Sequence, residues 1–153
     1  MQNVSKLMLV IVFLIVLGSL VVTWKLTWKR SFQVTRLTIA GQILKVEVVK
    51  TPQAQAQGLS TRQDLVENEG MLFVFDHPAR YSFWMKDMNF PIDIIWLNQN
   101  FQVVYIKKNA EPSSYPEIFT SDQNAQYVLE VIAGFSDRNN LELLNIASIE
   151  NLK

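Results

Sequence analysis

Two kinds of hydrophobic pattern divide the chain. Leu7 to Trp24 is an uncharged, apolar run of 18 residues. As a helix it would extend roughly 27 Å at about 1.5 Å per residue, close to the thickness of the hydrocarbon core of a bilayer. Beyond residue 30, short apolar runs alternate with polar positions and turn residues, as is typical of β-strands. The pattern predicts a membrane-spanning helix followed by a β-rich domain.

The apolar run ends in an aromatic residue, Trp24, and more aromatic and basic residues follow it, as expected at a membrane interface: Lys25, Trp28, Lys29 and Arg30. A cleaved signal peptide is the alternative interpretation, but such peptides have a shorter apolar region that ends in small residues. Gly18-Ser19-Leu20 is a poor match to that cleavage site and more Val follows it. We therefore expect residues 1–30 to be an uncleaved anchor that contacts the lipid bilayer through residues 7–24.

The segment after the anchor predicts a β-hairpin and a short helix. Ser31–Ala40 and Gln42–Lys50 are β-prone runs joined around Gly41. Thr51 is a favourable N-cap, Pro52 suits the first helical position, and Gly58 suits the residue after the helix.

Further strands are predicted at Met71–Phe75, Tyr81–Lys86, Ile92–Leu97, Phe101–Lys108, Gln126–Ile132 and Asn145–Glu150. The connections between them are predicted to be a turn at Asp76–Arg80, a long surface loop at Asn109–Asn124 and a helical turn at Gly134–Asn140. Seven or more short strands with one or two short helices indicate a compact β-sandwich or barrel, formed as one domain by residues 31–153.

Charge and composition restrict the partners of this domain. Residues 1–30 carry four bases and no acid, so the remainder holds 14 − 4 = 10 bases and 14 acids, a net charge of −4. A mildly acidic domain without basic runs argues against nucleic acid as a partner. The chain has no Cys and one His, which disfavours zinc or iron sites, and we predict no cofactor and no metal.

Strand alternation places two carboxyl groups among apolar neighbours. Asp93 shares a strand face with Ile95 and Leu97, and Glu130 lies between Val128 and Ile132. Because an unpaired buried charge is costly, these carboxylates are expected to have cationic partners.

Arg62 and Lys86 are the natural partners, and Trp84 shares a predicted strand face with Lys86. The hypothesis is that the four charged groups converge with Trp84 packed over them, so the candidate ligand-binding residues are Arg62, Trp84, Lys86, Asp93 and Glu130. Three roles stay open: a closed ion-pair network, a pocket for a polar or sugar-like molecule, and an acid/base pair of carboxylates.

Several blocks occur in the order found in the domain-of-unknown-function-192 family: Gly58-Leu59, Arg62, Gly70–Phe75, Ser82–Lys86, Pro91–Ile94, Val128-Leu129-Glu130 and Ala133-Gly134. The chain resembles this family over roughly residues 42–150. The resemblance implies a compact, mainly β domain, usually outside the cytoplasm behind a signal or anchor, and it implies no established activity. The chain departs from the family at Ser60, where Met is common, and at Asp87-Met88, where Asn-Thr is common.

The orientation in the membrane has opposing indications. The basic flank of the anchor favours a cytoplasmic domain, whereas a long acidic domain can cross regardless of flanking charge. With the resemblance added, we expect a single-pass protein of the cell membrane whose C-terminal domain is extracytoplasmic.

The sequence favours a non-enzymatic module that binds an envelope polymer, a small polar ligand or a membrane protein. A glycan hydrolase using a carboxylate pair and an accessory subunit of a membrane complex are the alternatives.

Overall fold

The computed structural model describes residues 33–152 and, in addition, Phe13. The predicted anchor, apart from Phe13, therefore lies outside the described residues. The chain divides into two units, Met1–Ser31 and Phe32–Lys153, and the described strands belong to the second. Within the described residues, no helix combines the length and the apolar character that crossing a membrane requires.

The predicted hairpin is confirmed as strands β1 (Gln33–Ile39) and β2 (Gln42–Val49), paired antiparallel. Its two turn residues, Ala40 and Gly41, have φ angles of 49° and 75°. Two successive positive φ angles are typical of the hairpin turn whose twist matches that of the flanking strands, and glycine adopts them without strain.

The predicted helix is also confirmed, as α1 (Pro52–Gln57). Thr51 Oγ1 accepts a hydrogen bond from Ala54 N at 3.3 Å, and Pro52 opens the helix. The helix ends at Gly58, which has a φ of 50°. It forms the crossover between β2 and the next strand, β3 (Glu69–Ala79), which lies parallel to β2.

The remaining strands are β4 (Ser82–Phe83), β5 (Ile92–Leu97), β6 (Val103–Ala110), β7 (Phe119–Thr120), β8 (Ala125–Ile132) and β9 (Ser148–Ile149). A second short helix, α2 (Phe135–Arg138), follows β8. Seven strands form one sheet in the order β6-β5-β8-β3-β2-β1-β9, while β4 and β7 form a separate pair.

The large sheet curls back on itself. Just before β9, Leu144 N donates to Val103 O at 2.9 Å, Val103 N donates to Asn145 O at 2.8 Å, and Ala147 N donates to Phe101 O at 2.9 Å. These bonds bring one edge of the sheet against the start of β6 at the other edge. The expectation of a mainly β fold with short helices is therefore confirmed, in the form of a curled seven-stranded sheet.

Three boundary predictions are wrong. β3 continues through the predicted Asp76–Arg80 turn to Ala79, and its pairing with β8 shifts register between Val74 and Ala79, so that Pro78 need not donate a ladder hydrogen bond. The predicted Tyr81–Lys86 strand is reduced to β4, which pairs with β7 from inside the predicted Asn109–Asn124 loop. The last strand is shorter than Asn145–Glu150 because only Ser148 and Ile149 pair with β1.

Apolar side chains fill both faces of the sheet. One core contains Met71, Phe73, Ile94, Trp96 and Val128, and the other contains Leu37, Leu44, Leu72, Ile95 and Leu129. Every residue of β5 is buried for this reason. Gly70 lets the backbones approach, since a Cβ there would lie 2.9 Å from the carbonyl oxygen of Glu130.

Candidate functional site

Asp93 and Glu130 are both buried, as predicted, with exposed fractions of 0% and 5%. In the pairing of β5 with β8, however, Asp93 lies opposite Val131, while Glu130 lies opposite Ile94. Directly paired residues share a face of the sheet, and successive residues alternate between faces. The two carboxyl groups therefore lie on opposite faces, and the expected convergence of the four charged groups is wrong.

The Asp93 carboxylate is occupied by backbone N–H groups. Its Oδ1 accepts from Asn109 N at 2.9 Å and from Gly134 N at 3.2 Å, and its Oδ2 accepts from Ser136 N at 2.8 Å. These bonds tie the end of β6 and the start of α2 to the buried strand β5. Backbone donors, rather than the predicted cations, satisfy this buried charge.

Arg62 pairs with a different acid from those expected. Its Nη2 lies 2.5 Å from Glu47 Oε1, and both side chains are about a quarter exposed, at 27% and 26%. Arg62 does not line the cavity over Glu130, so neither it nor Asp93 belongs to the same site as that residue.

Glu130 lies at a cavity of about 220 Å³ on the other face of the sheet. Trp84 and Lys86 also line this cavity, so the structure brings together three of the five candidate residues. The side chain of Trp84 is exposed, as is that of Lys86, whereas Glu130 is buried. The remaining lining residues are Gln55, Ala56, Gln57, Gly58, Leu59, Ser60, Phe73, Phe75, Tyr81, Ser82, Phe83 and Met88.

Two chain segments form walls above the sheet. One wall is Gln55–Ser60, the end of α1 and the turn after it, and the other is Ser82–Met88, which begins with β4. Asn89 joins them, because its Nδ2 donates to Ser60 O at 3.3 Å and to Arg62 O at 2.7 Å. Gln55 fixes the first wall to the sheet by donating from Nε2 to Val74 O at 2.9 Å.

Aromatic rings pack around the cavity in two pairs. Phe75 and Tyr81 are stacked with ring centroids 3.5 Å apart, and Phe73 meets Phe83 edge to face with centroids 4.9 Å apart. Trp96, in the core beneath, donates from Nε1 to Tyr81 O at 2.9 Å and so holds the start of this segment. The aromatic surface is therefore fixed by the core of the domain.

Among the described residues, no ion pair gives the carboxyl group of Glu130 a counter-charge. Its Oε2 has no hydrogen-bond partner among the described residues. Burial raises the pKa of Glu130 from 4.5 to about 8, because desolvation disfavours the charged form. A Cβ on Gly58 would lie 3.9 Å from this oxygen and 3.4 Å from Phe73 Cζ, so the glycine keeps side-chain atoms away from the carboxyl group.

Sequence reasoning missed the first wall, since Gln55–Ser60 looks like an ordinary helix end. Gly58 is the one residue in this segment that could have indicated a binding site, but a glycine is also expected there simply because it follows the end of the helix. Ser60 and Met88, two positions at which the chain differs from the common pattern of the family, both line the cavity. No cluster of three or more His, Asp or Glu side chains suited to a metal occurs within residues 33–152.

Residues 35–143 match the model of a known protein family, DUF192, which is described as an uncharacterized ACR. The chain belongs to the domain-of-unknown-function-192 family. The predicted resemblance is thereby confirmed, and the family description supplies no activity.

Solved structures share the fold, among them two that are similar to this chain in sequence as well. One, from Sinorhizobium meliloti 1021 and described as a proposed transcription regulator, is 28% identical, with a TM-score of 0.74 over 79% of this chain and 97% of that one. The other, a protein of unknown function from Novosphingobium aromaticivorans DSM 12444, is 26% identical, with a TM-score of 0.74 over 79% of this chain and 89% of that one. No curated protein matches the chain.

Proposed function

We propose that this member of the domain-of-unknown-function-192 family is a non-enzymatic module that binds a small ligand in the cavity over Glu130. The observation that carries the proposal is a buried carboxyl group at a cavity of about 220 Å³, whose Oε2 has no hydrogen-bond partner within residues 33–152. Small-molecule sites are concave, largely apolar and aromatic, and contain a few well-placed polar groups. The cavity has this composition.

The other candidate charges help to distinguish a ligand site from a closed ion-pair network. Arg62 is paired with Glu47, and Asp93 is held by backbone donors, so both have partners inside the domain. Glu130 has none on Oε2 among the described residues. A buried polar atom without a partner costs on the order of 1–3 kcal/mol, which calls for an explanation. Glu47 Oε2 and Ser136 Oγ also lack a partner among the described residues, but of the three residues only Glu130 lines the cavity. This difference supports ligand binding at Glu130 and a scaffold role for Arg62 and Asp93.

A glycan hydrolase is less well supported. Such enzymes use two carboxyl groups that flank the scissile bond, about 5 to 10 Å apart. Glu130 is the one carboxyl side chain among the described residues that line the cavity. Asp93, its expected partner, lies on the opposite face of the sheet. This pair is therefore unsuited to acid/base cleavage of a bound sugar.

The proposed module is attached to the cell membrane. The uncharged run of residues 7–24 and the aromatic and basic residues after it support a single-pass anchor. We propose that residues 31–153 lie outside the cytoplasm, where the ligand would come from the envelope or its surroundings. Their net charge of −4 disfavours nucleic acid.

Ligand-observed NMR of the full-length chain in a mild detergent, with a fragment library of cationic, neutral and anionic compounds, tests the binding proposal. We expect hits that are lost in Ser82→Trp, because Ser82 lines the cavity and a bulky ring there would obstruct it. Ser113→Trp, at a serine that does not line the cavity, is the matched control and should keep the hits. If no fragment binds, or if both variants bind equally well, the proposed site is wrong.

A further inference from the structure

The cavity has two hydrogen-bond acceptors beside Gly58. Glu130 Oε2 and the carbonyl oxygen of Gln55 each lie 3.9 Å from the position that a Cβ on Gly58 would occupy. The two oxygens come from different elements, β8 and α1, and border the same space beside the glycine. An ionised carboxylate and a carbonyl can only accept hydrogen bonds. A ligand group that meets the ionised form of Glu130 in this space must therefore supply the donors.

Aromatic side chains line the same cavity. Five of them line the cavity: Phe73, Phe75, Tyr81, Phe83 and Trp84. An aromatic ring attracts a cation placed over its face, by about 0.5–2 kcal/mol depending on desolvation. Together with a carboxylate, these rings favour a positively charged group over a neutral or negative one.

The described part of the domain does not supply a positive charge to Glu130. Arg62, the expected partner, pairs with Glu47, and no ion pair within residues 33–152 joins Lys86 to Glu130. Lys86 is exposed at the cavity, where water and salt screen its charge. When Glu130 is ionised, no ion pair among the described residues neutralises it, so a bound cation would supply the missing counter-charge.

We infer that the ligand of this site is a small organic cation, an ammonium or amidinium group on an apolar body, whose charged group contacts Glu130. The inference rests on the proposed function and specifies the class of ligand. Binding at neutral pH is accompanied by proton release: the carboxyl group of Glu130 loses its proton to solvent, and the ligand cation takes the place of that proton beside the carboxylate.

Isothermal titration calorimetry with three probes tests the inference. Benzylammonium, benzyl alcohol and benzoate share one ring and differ in charge. We expect the full-length chain to bind benzylammonium, with an affinity that rises about tenfold per pH unit between roughly pH 6 and pH 8, because Glu130 must be ionised. Titrations in two buffers of different ionisation enthalpy should show the release of close to one proton per ligand at about pH 6.

Glu130→Gln is the decisive variant, since glutamine keeps the shape of the protonated acid and still donates a hydrogen bond but cannot carry charge. We expect it to lose at least tenfold in affinity for benzylammonium. Glu117→Gln, at an exposed glutamate that does not line the cavity, should bind like the parent chain. Circular dichroism of each variant checks that it is folded.

The outcomes separate this inference from the proposed function. If benzyl alcohol or benzoate binds as well as benzylammonium, or if Glu130→Gln binds the cation unchanged, the cavity is a ligand site but not a cation site. If none of the three probes binds while fragments of other chemistry do, the cation class is likewise wrong. Failure of every fragment and probe overturns both proposals.

Discussion

Glu130 couples the stability of the fold to pH. Its pKa is raised by burial from 4.5 to about 8, so the folded chain holds the proton more tightly than the unfolded chain. The stabilisation is complete below about pH 4.5 and is lost as pH rises through about 8. Between these values Glu130 should lower the free energy of unfolding by up to about 1.4 kcal/mol per pH unit.

Glu130→Gln should remove this dependence. We expect the difference in unfolding free energy between variant and parent chain to grow with pH over that window, in favour of the variant, as measured by urea denaturation at several pH values. Glu117→Gln, at an exposed position, provides the baseline. A constant difference across the window would show that Glu130 is not desolvated in the folded chain.

Asp93 has a different role, which its three backbone hydrogen bonds define. Replacing Asp93 by Ala would leave the N–H groups of β6 and α2 without their acceptor. We expect the free energy of unfolding to fall by about 3 kcal/mol or more, measured as a lower urea midpoint with an unchanged slope.

The same variant distinguishes scaffold from site. Because Asp93 lies on the opposite face from the cavity, the folded fraction of Asp93→Ala should bind fragments like the parent chain. Asp122→Ala, which removes an exposed ion pair with Arg80, should change stability by less than about 1 kcal/mol. Loss of binding in folded Asp93→Ala would contradict the separation of the two residues.

Alternation along the strands was sufficient to predict that Asp93 and Glu130 are buried. It could not relate the two, because the side on which a residue lies depends on how strands pair, and that pairing is a long-range property. Asp93 is opposite Val131 rather than Glu130, and this offset of one residue places the carboxyl groups on different faces. Likewise, nothing local indicates that Arg62 pairs with Glu47.

At the level of elements, the cavity depends on two segments that contact each other through Asn89. Asn89 donates to the carbonyl oxygens of Ser60 and Arg62. We expect Asn89→Ala to weaken ligand binding severalfold while changing global stability by only about 1–2 kcal/mol, since each of its two hydrogen bonds contributes about 1 kcal/mol. Hydrogen exchange should become faster in Gln55–Ser60 and Ser82–Met88.

Asn124→Ala is the matched control, because Asn124 is exposed and does not line the cavity. Exchange that accelerates uniformly through the sheet in Asn89→Ala would indicate general destabilisation rather than a loosened pair of walls.

The sequence predicted short elements correctly where a few neighbouring residues determine the backbone geometry. The Ala40-Gly41 turn and the Thr51 cap are examples, since each depends on neighbouring residues alone. The segment after Tyr81 shows the limit. Alternation predicted that Trp84 and Lys86 share a face, and both line the cavity, although only Ser82 and Phe83 form a strand. Their partner strand, β7, lies far along the chain.

At the level of the whole molecule, a mainly β fold was predictable from the number of short strands and turns. The strand order was not, because it requires β8 to lie between β3 and β5, although β3 and β5 are closer in sequence. The parallel pairing of β2 and β3 across α1 is a second such feature. A cavity formed by two segments and a sheet face arises only from this arrangement.

The orientation of the chain in the membrane can be read with a single reporter, since the sequence contains no Cys. Ser113 lies in the second unit, distant in sequence from the predicted anchor, so Ser113→Cys introduces one thiol into the domain. We expect a membrane-impermeant maleimide to label this thiol in intact cells, because the proposed domain faces away from the cytoplasm.

Asn3→Cys, on the other side of the predicted anchor, is the matched control and should be labelled only after lysis. Fractionation tests the anchor itself: the full-length chain should stay with membranes after an alkaline carbonate wash, and a chain starting at Ser31 should be released. The reverse labelling pattern would place the domain in the cytoplasm. In that case the proposed extracytoplasmic location is wrong, while ligand binding at Glu130 is tested separately by the titrations described above.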